Sequence, residues 1–462
     1  MSKTSCNWIL YLSTFTANLF FVSYGIMLSW NTPVLLKFRS DNNEINPLGA
    51  PLTVFQLSLC TSIFPFASIF AGLLVTKMPD IFGRKRSMIY IATAGLLCFI
   101  GLAFVKNVWL YCSIYMLTCI SVSGGIVVVP TYVSEITETK NRGSLSSIVA
   151  VAATVGQLYL FILTPYTDFK MLSLCCGMPF LIIIILSFFI YESPILLSMK
   201  GDTDGALNIL KKLRRNVDPS KLEDELREKE KMLVTNDKKS ALKVLFKTSV
   251  GRKALFIALL VRSLPSFSGF YVILSFFDDF LREPTNISVS SNTLSIFIIC
   301  FKMFSSSLIS LYLDRFGRRI YLLSGCIVYS AATFGMGMYF LCKNNNMYIP
   351  EAVKFVPIVL LFLVSLGYML GLAGVSFTVV SEILPNEARA VGSGFAACIA
   401  NLVLSAIAVS YPYIDEYFGL QFCMFMFTVP LIIGFFLIFF YVPETKEKTF
   451  EEIKCLLDKH RT

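Results

Sequence analysis

Long apolar runs alternate with short polar turns through most of the chain. Twelve such runs can be placed, near 8–30, 53–76, 87–105, 108–132, 145–165 and 171–190, then 254–277, 291–313, 320–342, 355–380, 391–413 and 421–442. Each is roughly 20 residues long, the length at which an α-helix crosses the hydrocarbon core of a bilayer. The runs are continuously apolar, without the two-residue alternation of a transmembrane β-barrel. The pattern predicts an all-α membrane protein with twelve transmembrane helices, and an even count places both termini on one side. The polar stretch 192–253 is the only sizeable soluble part. Within it, Ala206 to Leu213 and Leu222 to Leu233 read as short amphipathic helices, broken by Asn216-Val217-Asp218-Pro219.

Composition agrees. The chain is 55% hydrophobic and only 15% charged, against about 25% charge in soluble domains. The net charge of +10 does not point to nucleic acid, because the basic residues gather in loops on one side. Arg84, Lys85, Arg86, Lys140, Arg142, Arg315, Arg318, Arg319 and Arg389 all fall on the side of the termini. The opposite links, 31–52, 278–290 with Asp278 and Asp279, and 414–420, are poor in Lys and Arg. The positive-inside rule then makes the termini cytoplasmic and the protein a multi-pass one, expected in the plasma membrane. The first run lacks a cleavage site and reads as a retained span. Most of the 13 cysteines lie inside apolar runs without C-x-x-C spacing, so they read as packing residues. The one histidine, His460, is in the tail. No metal or cofactor is expected, and no enzymatic chemistry. Asn286-Ile287-Ser288 is an N-x-S sequon on the outer side, a candidate glycosylation site at Asn286.

Three charged motifs occur twice, in the same order. Asp80-Ile81-Phe82-Gly83-Arg84-Lys85-Arg86 is matched by Asp314-Arg315-Phe316-Gly317-Arg318-Arg319. Ser134-Glu135-Ile136 with Arg142 is matched by Ser381-Glu382-Ile383 with Arg389. Glu192-Ser193-Pro194 is matched by Pro443-Glu444-Thr445. The chain is therefore an internal duplication. Its expected organisation is a six-helix half over 1–191, an intracellular helical linker over 192–253, a second six-helix half over 254–442 and a cytoplasmic tail over 443–462.

These features together resemble the major facilitator superfamily. Finer motifs are similar to its sugar porter branch: Pro130-Thr131-Tyr132-Val133-Ser134-Glu135 with Arg142-Gly143, Gly156-Gln157-Leu158, Glu192-Ser193-Pro194 with Lys200-Gly201, and Pro443-Glu444-Thr445-Lys446 with Lys448-Thr449-Phe450-Glu451-Glu452-Ile453. Trp30-Asn31-Thr32-Pro33 looks like the insect facilitated trehalose transporters. The resemblance covers nearly the whole chain, yet the sugar-contacting set departs from the branch. Its seventh span carries Q-Q-x-S-G-x-N; here Ser268-Gly269 remain, with Pro265 and Ser266 for the glutamines and Tyr271 for the asparagine. Gly374, Ser376 and Phe377 stand at the tenth span's P-P-W positions, Ala400-Asn401 replaces the eleventh span's N-W, and Lys302 replaces the eighth span's amide.

What the resemblance implies is facilitative transport of a small sugar, such as trehalose or a hexose, by alternating access. The lipid bilayer and the sugar are the expected partners, and the monomer the working unit. Surface ion pairs are each worth about 0–1 kcal/mol and break readily. A rocking transporter can use them as gates. Asp80, Arg84, Glu135, Arg142 and Glu192, mirrored by Asp314, Arg318, Glu382, Arg389 and Glu444, are the expected gating network. Substrate should bind near the midplane between the halves. The candidates are Gln157, Lys302, Arg262, Phe377, Tyr271, Ser266 and Asn401. Gln157 can donate to and accept from a hydroxyl, or equally bond a neighbouring helix.

Lys302 lies 12 residues before Asp314, about 18 Å along a helix and near mid-bilayer. Arg262 lies roughly two turns inside the seventh span. A charge there costs about 2.5–3.5 kcal/mol on insertion scales and normally faces a cavity, although Arg262 can also snorkel to the surface. No Asp or Glu lies inside any of the twelve runs. Coupling to protons or cations needs such a group, so downhill transport is favoured. Two alternatives stay open: an organic-anion carrier, motivated by Lys302 and Arg262, and a sugar sensor that transports weakly.

Overall fold

The computed structural model describes residues 8–42, 45–137, 142–213, 238–282, 291–348, 350–385, 388–446, 448 and 452. Every regular element among them is helical. In order they are α1 (Trp8–Ser29), α2 (Asn31–Phe38), α3 (Val54–Val75), α4 (Met78–Phe82), α5 (Arg84–Ala103), α6 (Val108–Ile136), α7 (Arg142–Leu163) and α8 (Phe169–Ser187). Then follow α9 (Pro194–Met199), α10 (Thr203–Leu213), α11 (Lys238–Lys247), α12 (Ser249–Phe267), α13 (Phe270–Ser275) and α14 (Asp279–Arg282). The last group is α15 (Ser291–Phe316), α16 (Arg318–Asn344), α17 (Val356–Gly367), α18 (Gly374–Ile383), α19 (Arg389–Phe418) and α20 (Leu420–Tyr441).

Among the described residues, eleven helical stretches are long and apolar enough to cross a membrane, and the shorter apolar stretch Val151–Tyr166 holds the fifth place. The all-α, twelve-span expectation holds. The reason is general: in hydrocarbon a backbone must satisfy its own N–H and C=O groups, which a helix does within one segment. Polar residues mark the ends. Asn107 caps α6 by accepting from the Trp109 N–H, and Asp168 caps α8 through the Met171 N–H.

The chain divides into two compact units. The first comprises Met1–Trp30, Ser40–Pro51 and Ala67–Thr235. In it α1 packs on α6, α7 and α8, and α5 packs on α6 and α8. Helices α1 and α7 touch backbone to backbone. A Cβ on Gly25 would lie 1.8 Å from the Ala153 carbonyl oxygen, and one on Gly156 1.9 Å from that of Val22, so only glycine permits the approach. Trp30 is buried edge-on to Phe99, with ring centroids 5.4 Å apart, and donates to the Tyr111 hydroxyl at 3.2 Å.

The second unit comprises Asn31–Arg39, Leu52–Phe66 and Asn236–Thr462. Here α16 packs on α17 and α20, and α12 on α19. Its polar core bonds are Tyr329 Oη to the Ser268 carbonyl at 2.7 Å and the Thr333–Thr428 hydroxyl pair at 2.8 Å.

Among the described residues, three spans are interrupted within their length. The first turns at Trp30 and resumes as α2, so residues 31–38 are helical rather than a bare link. The seventh breaks at Gly269, whose φ of +65° belongs to the left-handed region. A Cβ there would lie 2.2 Å from the Phe427 ring. The tenth passes through a π-turn, Tyr368–Leu372, between α17 and α18. Within 192–253, α10 contains the expected Ala206–Leu213 helix, and its Ala206 and Leu210 bury against Leu197 of α9. The expected Leu222–Leu233 helix lies outside the described residues.

Candidate functional site

The first charged turn is built around Arg84, the opening residue of α5. Its Nε donates to Glu135 Oε2 at 3.0 Å and its Nη2 to Glu135 Oε1 at 2.8 Å. The remaining arm, Nη1, donates to the Pro79 carbonyl at 3.0 Å and stands 3.4 Å from Asp80 Oδ1. Both side chains of the Arg84–Glu135 pair are only 4% exposed. A buried ion pair is tolerated when its donors and acceptors are taken up in this way.

Glu192 does not bond the guanidinium. Its Oε1 accepts from the backbone N–H groups of Arg84 at 2.8 Å, Lys85 at 3.1 Å and Ser193 at 3.0 Å. Those of Arg84 and Lys85 belong to the first turn of α5, where no intrahelical acceptor exists and the helix dipole is positive. Glu192 is thus a cap delivered from 108 residues away. Gly83 has φ +98°, and a Cβ there would lie 2.5 Å from Glu192 Oε2. Both the turn and the cap demand glycine.

The second turn repeats the cap. Glu444 Oε1 accepts from the Arg318 N–H at 2.9 Å, and its Oε2 from the Arg319 N–H at 3.1 Å, at the start of α16. Gly317 has φ +92°, and its Cβ would lie 2.6 Å from Glu444 Oε2. The ion pair differs. Arg318 Nε stands 3.4 Å from Glu382 Oε1, with side chains 14% and 27% exposed. The other Glu382 oxygen accepts from the Thr445 hydroxyl at 2.5 Å. Arg319 turns away to donate to the Phe439 carbonyl.

The expected network therefore gathers Asp80, Arg84, Glu135 and Glu192 in the first unit, and Arg318, Glu382 and Glu444 in the second. Arg389 opens α19 and is exposed. Arg142 opens α7 and Asp314 lies in α15, with side chains outside the described residues, as is Asn286 altogether.

The substrate candidates divide. Gln157 is buried in α7 and its Nε2 donates to Ser29 Oγ of α1 at 2.9 Å, a bond from helix to helix. The remaining candidates lie in the second unit. Tyr271 accepts from Asn31 Nδ2 at 3.0 Å and contacts the Thr61 carbonyl at 3.5 Å. Ser266 is buried near the end of α12, and Asn401 is partly buried on α19.

Lys302 is half-buried on α15, at helical spacing from buried Ile298 and Ser305, while Phe297, Cys300 and Phe304 are exposed. Its Nζ lies 5.8 Å from the centre of the Phe270 ring. That ring stacks on Tyr368 of the π-turn at 4.0 Å, so Lys302 adjoins both the seventh- and tenth-span interruptions. Arg262 lies over Phe377, 4.0 Å from the ring centre, and the Phe377 ring is 56% exposed.

Residues that spacing did not single out close the end of the second unit opposite its charged turn. Arg39 Nη1 donates to Asp279 Oδ1 at 2.6 Å and Oδ2 at 2.8 Å. Thr32 Oγ1 donates to the Leu274 carbonyl at 2.5 Å. Ser58 and Thr61 of α3 donate to the carbonyls of Val409 and Ala408 at 2.7 and 3.2 Å. The available signal was a basic residue, Arg39, in a link otherwise poor in Lys and Arg. Among the described residues no three metal-ligating side chains cluster.

A family profile described as "Sugar (and other) transporter" matches residues 14–457. The chain belongs to this family of transporters. Like them it is a multi-pass membrane protein. The chain is 26% identical to the mouse "Solute carrier family 2, facilitated glucose transporter member 6", covering 98% of itself and 92% of the relative. It is 23% identical to the "Facilitated trehalose transporter Tret1" of Drosophila mojavensis, over 97% of itself and about half, 51%, of that protein. Among solved structures it is similar to the xylose transporter XylE from E. coli in a partially occluded inward open conformation. The TM-score is 0.78, with 17% identity, over 96% of this chain and 99% of that one, which places the fold.

Proposed function

We propose that this transporter-family member is a facilitative carrier of a sugar, a mono- or disaccharide such as a hexose or trehalose, working as a monomer in the plasma membrane by alternating access. The observation that carries the reading is the family match across almost the entire chain, together with relatives named for glucose and trehalose. Uniport rests on charge placement: no Asp or Glu lies inside the twelve apolar runs, so titratable acids for proton coupling are lacking there. The basic charged-turn end faces the cytoplasm, where the buried Arg84–Glu135 pair holds the first turn together and the partly exposed Arg318–Glu382 pair works in the inner gate. Gln157, Ser266, Tyr271, Arg262, Phe377 and Asn401 remain its substrate candidates together with Lys302. Uptake of labelled trehalose, glucose and a carboxylated solute into membrane vesicles tests the reading. Saturable uptake of a neutral sugar is expected; uptake of the carboxylated solute alone overturns it.

One observation favours a second reading, an organic-anion carrier: Lys302 lies half-buried over Phe270. Lys302→Gln separates the two. A sugar carrier keeps its hydrogen bond and its uptake. An anion carrier loses a charged hydrogen bond of about 1.5–3 kcal/mol, or roughly ten- to hundredfold in affinity.

A further inference from the structure

Away from its charged turn, the second unit holds a cavity of about 500 Å³. Arg39, Asp279, Lys343, Asn344, Asp415 and Gln421 are among the residues that line it. Two cations and two carboxylates cancel in formal charge, and amides complete this part of the wall. Such a surface matches a neutral polyol. Sugar hydroxyls donate to carboxylates and accept from amide and guanidinium N–H groups.

The Arg39–Asp279 ion pair is itself part of the wall. Arg39 follows α2 directly, and Asp279 opens α14, so the pair ties one element to the other. The same α2 is held by Asn31 on Tyr271 and by Thr32 on the Leu274 carbonyl. The Arg39 guanidinium also lies 5.2 Å from the centre of the Phe276 ring. Among the described residues, buried Asn31 Oδ1 and Tyr411 Oη have no protein hydrogen-bond partner. Tyr411 packs against Phe276 at 4.6 Å, three residues before Asp279.

We propose that Asp279 is a sugar-contacting residue in this cavity, and that cargo opens the Arg39–Asp279 latch by substitution. Two neighbouring hydroxyls of the arriving sugar take the Asp279 oxygens that Arg39 Nη1 now holds. Arg39 is released and α2 loses one of its ties to the seventh span. This rests on the reading above, in which the cargo is a sugar and this end faces the outside. It adds a site distinct from the mid-span candidates.

The test exploits a difference in sign. A purely structural ion pair responds alike to neutralisation of either partner. Under the substitution scheme the partners oppose each other, because Arg39 competes with the sugar while Asp279 binds it. Influx and efflux of the labelled sugar are measured separately in vesicles carrying the full chain. Asp279→Asn is expected to raise the half-saturation for influx about tenfold, the effect of weakening a charged hydrogen bond. Arg39→Gln is expected to lower it, by up to about fivefold, the scale of a partly solvated ion pair. Half-saturation for efflux stays near that of the parent in both. Asp279→Glu retains a carboxylate and stays closer to the parent than Asp279→Asn, which shows that the site accepts substitution. Shifts of the same sign in Asp279→Asn and Arg39→Gln, or none in either, overturn the latch while leaving sugar transport standing. Absence of sugar uptake by the parent removes both.

Discussion

The two charged turns carry nearly the same sequence and do not bury their ion pairs alike. Their caps are alike: Glu192 and Glu444 each seal the first turn of a helix, and Gly83 and Gly317 each leave room for the carboxylate. Their ion pairs are unlike. Arg84 is buried and spreads its donors over Glu135 and the Pro79 carbonyl. Arg318 stands off at 3.4 Å from a Glu382 that is shared with Thr445 and partly solvated. Duplication thus preserved the backbone device and let the side-chain device diverge. We read the first turn as a fixed joint, and the second, whose ion pair is partly exposed, as one that can let go.

The largest expected effect sits in the fixed joint. Glu135→Ala leaves the buried Arg84 guanidinium without its buried counter-ion, with only the exposed Asp80 beside it, and should cost about 3–5 kcal/mol. Glu382→Ala at the matching place should cost about 0–1 kcal/mol. Thermal unfolding of the two variants in detergent micelles measures the gap; equal losses would erase the distinction between the joints. Gly83→Ala and Gly317→Ala come next. Each forces a side chain into a left-handed backbone and onto a carboxylate, at about 1–3 kcal/mol. Here the two turns should respond equally, because the cap is what they share. Glu192→Gln and Glu444→Gln keep an acceptor at the helix start and remove its charge, an effect of about 0.3–2 kcal/mol. The smallest expected change is in conformational population. Arg389→Ala should modestly raise the labelling of a cysteine placed at the charged-turn end; unchanged labelling would leave Arg389 as a topology signal only.

Much of this was legible in sequence because it is local or repeated. Runs of about 20 apolar residues reveal spans, and the recurrence of Gly83-Arg84 as Gly317-Arg318 reveals the duplication. What spacing could not show is which atoms meet. Glu192 and Glu444 were expected on guanidinium groups and lie instead on backbone N–H groups, which every sequence possesses. The breaks at Gly269 and at Tyr368–Leu372 fall inside unbroken apolar stretches, so hydropathy passes over them. Arg39 and Asp279 are 240 residues apart, and no periodicity links them. Gln157 is open in sequence in another way. Its residue type suits a sugar hydroxyl, and its Nε2 also reaches Ser29 of a neighbouring helix.

Counterflow most directly tests facilitative sugar transport. Purified protein is reconstituted in liposomes loaded with unlabelled sugar and then diluted into a trace of the labelled sugar, with no ion gradient present. The expected result is a transient overshoot of label that decays to equilibrium and is insensitive to a protonophore. No overshoot with trehalose or hexoses, or one that a protonophore abolishes, would contradict it.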